Sequence, residues 1–128
     1  MPIEPGLHAC LRHEVTPDDT ARAIRSGDLD VLGTPRLLAW CEEATVAAIA
    51  GTVEAARTTV SVRVELAHER ASAVGTAVAV RADLLHVDGR LLRFDVVAEQ
   101  ETGDGTTVVA RGQLTRVVVD RARFLARL

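Results

Sequence analysis

Lysine is absent from this chain of 128 residues, and all 15 of its basic residues are arginine. Without a side-chain primary amine there is no Schiff-base chemistry and no phosphate-loop lysine. Aromatic residues are almost absent too. Trp40, Phe94 and Phe124 are the whole set, too few for a base-stacking platform. The two cysteines, Cys10 and Cys41, lack metal-ligand spacing and read as reduced thiols. No apolar run is long enough to cross a bilayer. The opening Met-Pro-Ile-Glu-Pro-Gly has neither a basic start nor an apolar stretch. The net charge of −3, with a pI near 5.8, argues against nucleic acid as a partner. The expectation is a cytoplasmic protein without nucleic-acid or membrane partners. Its Ala, Val and Arg content fits a GC-rich bacterial genome.

What is present is the balance of a folded globule: 48% hydrophobic and 26% charged residues. The length predicts a single domain over 1–128. A first strand is expected from His8 to Val15. Thr16-Pro17-Asp18-Asp19 then reads as a turn opening a short helix, with Thr16 as its cap. Ser26 to Gly33 breaks every period and reads as a loop. Thr34-Pro35 is the clearest helix start, a capping side chain followed by proline at the first helical position. That helix is expected to run to about Ala50 and to stop at Gly51. From Leu37 to Ala50 its only charges are Glu42 and Glu43, which predicts a helix buried on every side.

After the helix the period becomes two. Val60, Val62, Val64, Leu66 and His68 are expected on one face of a strand, and Ser61, Arg63, Glu65 and Ala67 on the other. Further strands are expected over Val74–Val87, Arg90–Glu99 and Thr107–Val119. Asp88-Gly89 and Gly103-Asp104-Gly105 supply the turns, and an Arg-rich tail follows Asp120. Strand, helix and four antiparallel strands predict an α+β architecture, the hotdog fold: a curved antiparallel sheet wrapped around one central buried helix. Its edge calls for a partner, which predicts a homodimer.

Three residues stand out chemically. A carboxylate on a buried helix must be paired, neutral or facing a cavity, so Glu42 and Glu43 are candidates against the plainer readings of an exposed stripe or a pair with arginine. His68 shares its face with four apolar residues, and on its own it reads first as a packed core histidine. Thr34 is accounted for as a helix cap, though a capping hydroxyl beside free helix N–H groups can also serve a carbonyl oxygen. Arg116 reads first as an edge arginine snorkelling to water; the alternatives are a pair with a buried glutamate or the lining of a channel for a phosphate-bearing ligand. Arg121, Arg123 and Arg127 read as a solvated tail. No set of histidines has metal-ligand spacing.

Several stretches resemble the fluoroacetyl-CoA thioesterase family of hotdog proteins. They are Val31-Leu32-Gly33-Thr34-Pro35 with the helix that carries Glu42, and Val60 to His68 with Gly75 seven residues on. The hairpin Val87 to Phe94 and Gly112-Gln113-Leu114-Thr115-Arg116 complete the set. The resemblance implies Thr34, Glu42 and His68 as catalytic residues and Gly33, Ser61 and Arg116 as substrate-binding residues. It also implies an acyl-CoA or acyl-carrier thioester of a small acyl group as substrate, no metal, no cofactor apart from the substrate's CoA, and a site at a dimer interface. The fluoroacetyl-specific enzyme has an aromatic lid in the loop before its threonine. Here that loop, Ile24 to Asp30, has no aromatic residue, and Ser61 stands where that enzyme has a glycine. Two other readings remain: a non-catalytic acyl-CoA-binding hotdog protein, and a structural dimer in which Glu42 is ion-paired.

Overall fold

The computed structural model describes residues 2–128. The chain forms strand β1 (His8–Glu14), a 3-10 turn (Pro17–Asp19), helix α1 (Ala21–Ile24) and the main helix α2 (Thr34–Ala48). Four strands follow, β2 (Arg57–His68), β3 (Ala77–Asp88), β4 (Leu91–Thr102) and β5 (Gly105–Asp120), and then helix α3 (Arg121–Ala126). The strands make one antiparallel sheet in the order β1-β3-β4-β5-β2, so β1 and β2 are the edges.

Alternation selects the inner face. Val78, Val80, Ala82 and Leu84 of β3 and Leu92, Phe94, Val96 and Ala98 of β4 are buried. Leu37, Trp40, Cys41 and Ala44 of α2 belong to the same apolar core as Val80, Val96 and Leu114. Burying one such leucine contributes roughly 2 kcal/mol, so the sheet curls over the helix. The opposite flank of α2 is open. Ala39, Glu43 and Val46 are exposed, which corrects the expectation of a helix buried on every side.

The ends of the elements differ from the sequence expectation for local reasons. Pro17–Asp19 makes only a 3-10 turn. The Asp19 carboxylate accepts from the Thr16 backbone N–H at 2.8 Å and from its hydroxyl at 2.9 Å. The side chain that caps α1 is Thr20, accepting from the Ala23 N–H at 3.2 Å. Helix α2 stops two residues early, at Ala48, where the Thr52 hydroxyl donates to the Ile49 carbonyl at 2.6 Å. Strand β3 begins at Ala77 rather than Val74, because Gly75, at φ +91°, turns the chain first.

One departure changes which side chains face the helix. Ser61 pairs with Arg116, but Arg63 pairs with Thr115, leaving Val62 as an extra, bulged residue. A bulge reverses the alternation on either side of it. Leu66 and His68, beyond it, oppose Gly112 and Ala110, while Ser61, before it, opposes Arg116. Ser61 and His68 therefore both face inward. Val62 turns out and is 55% exposed. The expected single face of Val60, Val62, Val64, Leu66 and His68 does not form.

Candidate active site

The N-terminus of α2 differs from its sequence reading. Gly33, not Thr34, is the N-cap, and Thr34 and Pro35 open the helix. The Thr34 side chain does not cap. Its Oγ1 lies 2.8 Å from Nδ1 of His68, at the end of β2. Gly33 donates its own N–H to the Asp19 carbonyl at 2.9 Å, so that group is not free for a substrate. A Cβ on Gly33 would meet the end of the Ile24 side chain, which would have to turn aside.

Nε2 of His68 is buried and has no hydrogen-bond partner among the described residues. A buried, unpaired ring nitrogen costs about 1–3 kcal/mol and leaves its hydrogen-bonding capacity unused. Burial pushes the imidazole below its ordinary value, with a weaker opposite pull from the Arg70 backbone. Thr34 and His68 line a cavity of about 260 Å³ with Val31, Leu32 and Arg70.

A second cluster sits further along α2. The Ser61 hydroxyl donates to Glu42 Oε2 at 2.5 Å. Arg116 donates from Nη1 to Ser61 Oγ at 2.8 Å, from Nε to Thr59 Oγ1 at 2.8 Å, and from Nη2 to the Thr59 carbonyl at 3.1 Å. Its Nη1 lies 3.9 Å from Glu42 Oε2. Arg116 is buried rather than snorkelling, which corrects the first sequence reading. Burial lowers its pKa and the Glu42 charge opposes the shift. The two glutamates separate clearly. Glu42 faces β2, whereas Glu43 is on the open flank, 2.7 Å from Nε2 of His13. His13 in turn stacks on Trp40 with ring centroids 4.5 Å apart. Cys41 is buried, and burial with the neighbouring Glu42 charge pushes its thiol up to about 12. A protonated thiol is a poor nucleophile at neutral pH.

Of the expected residues, the structure brings Thr34 to His68, and Glu42 to Ser61 and Arg116. It does not bring the two groups together within one chain. Thr34 and Glu42 are eight residues apart on one helix, about 12 Å along its axis. Sequence reasoning missed the Thr59 contribution and the inward turn of Ser61. A bulge leaves no mark in the alternation pattern.

A five-stranded antiparallel sheet wrapped on one long helix, with a hydroxyl and a carboxylate on that helix and an imidazole from the sheet against its start, is the hotdog fold of thioesterases. The fluoroacetyl-CoA-specific thioesterase (FlK) family matches residues 15–122, and the chain belongs to that family. The fluoroacetyl-CoA thioesterase FlK itself superposes with a TM-score of 0.88 at 24% identity, over 99% of this chain and 96% of that one. A thioesterase superfamily member from Thermus thermophilus gives 0.87 at 25% identity, over 98% and 90%. A hot-dog-like protein from Thermanaerovibrio acidaminovorans gives 0.84 at 22% identity, over 96% and 88%. A variant of FlK has been solved with acetyl-CoA. No curated protein matches the chain's sequence.

Proposed function

We propose that this protein is an acyl-CoA thioesterase that hydrolyses a small acyl thioester as a homodimer, with Thr34, Glu42 and His68 as its catalytic groups. The observation that carries this reading is the 2.8 Å contact of Thr34 with His68 at the start of α2, in a chain of the thioesterase family. The substrate class follows FlK, which takes fluoroacetyl-CoA by name and of which a variant has been solved with acetyl-CoA. The stretch from Ile24 to Asp30 carries no aromatic residue, which argues for a small acyl group without fluorine selectivity.

The two half-sites call for two chains. Strand β2 is a free edge twelve residues long, and an unpaired edge is a template for a second copy. Two-fold antiparallel pairing about the middle of β2 brings Thr34 and His68 of one protomer toward Glu42, Ser61 and Arg116 of its partner. His68 Nε2 takes a proton from water, the water oxygen bonds to the carbonyl carbon, and the C–S bond breaks. The departing sulfur receives the proton, giving a carboxylic acid and CoA thiol. Glu42 either orients that water or attacks first to give an anhydride. Its contact with the Ser61 hydroxyl and the nearby Arg116 guanidinium stabilise the negative charge already, which weakens it as a nucleophile and favours the orienting role. A cytoplasmic setting fits a CoA thioester and two unbridged thiols.

The test is free-thiol release from a panel of short acyl-CoAs. Wild type is expected to turn over acetyl- and propionyl-CoA. Glu42→Gln and His68→Ala are expected to lower kcat by about 100-fold, and Glu43→Gln by less than about threefold. Binding of acyl-CoA without thiol release would favour the non-catalytic alternative.

A further inference from the structure

The end of the sheet beyond Arg116 carries an unexplained concentration of positive charge. Arg57 at the start of β2, Arg90 in the β3–β4 turn, and Arg123 and Arg127 of the C-terminal segment line one groove of about 350 Å³. None of the four has a carboxylate within 4.0 Å among the described residues. The only acid lining the groove, Asp120, accepts from the Arg123 backbone N–H at 3.0 Å and caps α3. The chain as a whole is acidic, at −3. Four unpaired guanidinium groups in one concavity therefore oppose the overall balance, and like charges held together repel unless an anion joins them. Val118 and Phe124 add apolar surface to the same groove.

The groove is also joined to the proposed site. A cleft of about 200 Å³ runs between the end of α2 and the start of β2, lined mainly by Val46, Ile49, Val53 and Thr59, with Glu54 and Arg57 at its margin. Thr59 accepts the Arg116 hydrogen bond at one end, and Arg57 belongs to both cleft and groove. From Ser61 to Arg57 is four strand residues, about 13 Å. A track with a carbonyl-handling end, an apolar middle and a cationic far end has the order of parts of a CoA thioester.

We infer that the groove of Arg57, Arg90, Arg123 and Arg127 binds the phosphates of the 3′-phosphoadenosine diphosphate end of CoA, with Phe124 and Val118 against the adenine and the pantetheine arm in the apolar cleft. This rests on the thioesterase reading and deepens it by choosing free CoA over a carrier protein as the handle. Arginine matches phosphate oxygens in bidentate fashion. A carrier-bound pantetheine brings one phosphodiester and no nucleotide, which would leave most of these cations unmatched.

The test compares wild type with the Arg90→Ala/Arg123→Ala/Arg127→Ala variant, all at exposed positions. Calorimetry with adenosine 3′,5′-bisphosphate reads the groove without any chemistry. Hydrolysis of acetyl-CoA and of acetyl-pantetheine, which lacks the nucleotide, reads its use. We expect bisphosphate binding in wild type and its loss in the variant. The variant's KM for acetyl-CoA should rise by at least about tenfold, with kcat within about twofold and acetyl-pantetheine kinetics unchanged. Absence of bisphosphate binding to wild type, or an unchanged KM for acetyl-CoA, overturns the inference. So does a variant impaired only on an acyl carrier protein, which would assign the arginines to a protein partner. Should wild type hydrolyse neither thioester, the thioesterase reading fails, while the calorimetry still decides the groove.

Discussion

At the scale of single residues, the chemistry depends on where His68 holds its proton. Nδ1 is engaged by Thr34 and Nε2 is buried without a partner. Burial favours the neutral ring, so the acid limb of the rate profile should fall below pH 6.5, the ordinary value. The linked stability has the same sign. A histidine whose folded pKa is depressed contributes stability above its unfolded value, and that stability is lost as the pH falls toward the folded one. A partner's Glu42 beside His68 would oppose the shift. The His68 ring-proton titration, followed by NMR, should therefore move to lower pH in Glu42→Gln. An identical titration in both proteins would separate Glu42 from His68 in the dimer. The sequence marks Thr34, Glu42 and His68 by residue type, but only the family resemblance groups them, and the Thr34–His68 contact needs the fold. The hydrogen bonds of Arg116 were not legible in the sequence, because Thr59 and Ser61 lie on a different strand, brought alongside only by the β2–β5 pairing.

At the scale of elements, strand β2 carries most of the information. Its end at His68 and the inward side of that histidine follow from alternation, whereas its start at Arg57, three residues before the expected Val60, does not. The bulge at Val62 does not follow either, since one unpaired residue is set by the register against β5. The same strand pair makes a strict demand at Gly112. A Cβ there would run into the Glu65 carbonyl and the Leu66 backbone across the ladder. Backbone cannot rotate aside as a side chain can. Gly112→Ala should cost about 3 kcal/mol and lower the melting temperature by roughly 10 °C, read by thermal unfolding. A variant as stable as wild type would mean that the two strands can spread without penalty. The turns at Asp88-Gly89 and Gly103-Asp104-Gly105 lie where their residue chemistry points, with Gly89 at φ +57° and Gly105 at φ +144°. The 3-10 turn over Pro17–Asp19 and the early stop of α2 depend on side-chain contacts that no periodicity records.

At the scale of the whole molecule, the open edge of β2 and the open flank of α2 leave apolar surface in water. Val62 is 55%, Val46 48% and Val64 39% exposed. Exposed valines along an unpaired strand fit the proposed homodimer. Sedimentation equilibrium at micromolar concentration should give twice the 13.7 kDa chain mass, and a single-chain mass would remove the composite site from the proposal. The interior also divides the two thiols. Cys10 is exposed and Cys41 is buried, with its thiol pushed up to about 12. An alkylating reagent should therefore modify the folded protein once, at Cys10, and twice after denaturation, as mass spectrometry would show.

The stack of His13 on Trp40 makes the protein its own fluorophore. Trp40 is the only tryptophan, and no tyrosine adds to its emission. Its indole lies against a ring carried by edge strand β1, at the face where that strand meets α2. Trp40 is only 7% exposed, so peeling β1 from the helix should bring the indole into water and shift its emission to the red. The native emission is thus an optical gauge of one seam, set on the opposite edge of the sheet from β2. It should report the loosening of β1 without a label and without any signal from the reaction itself.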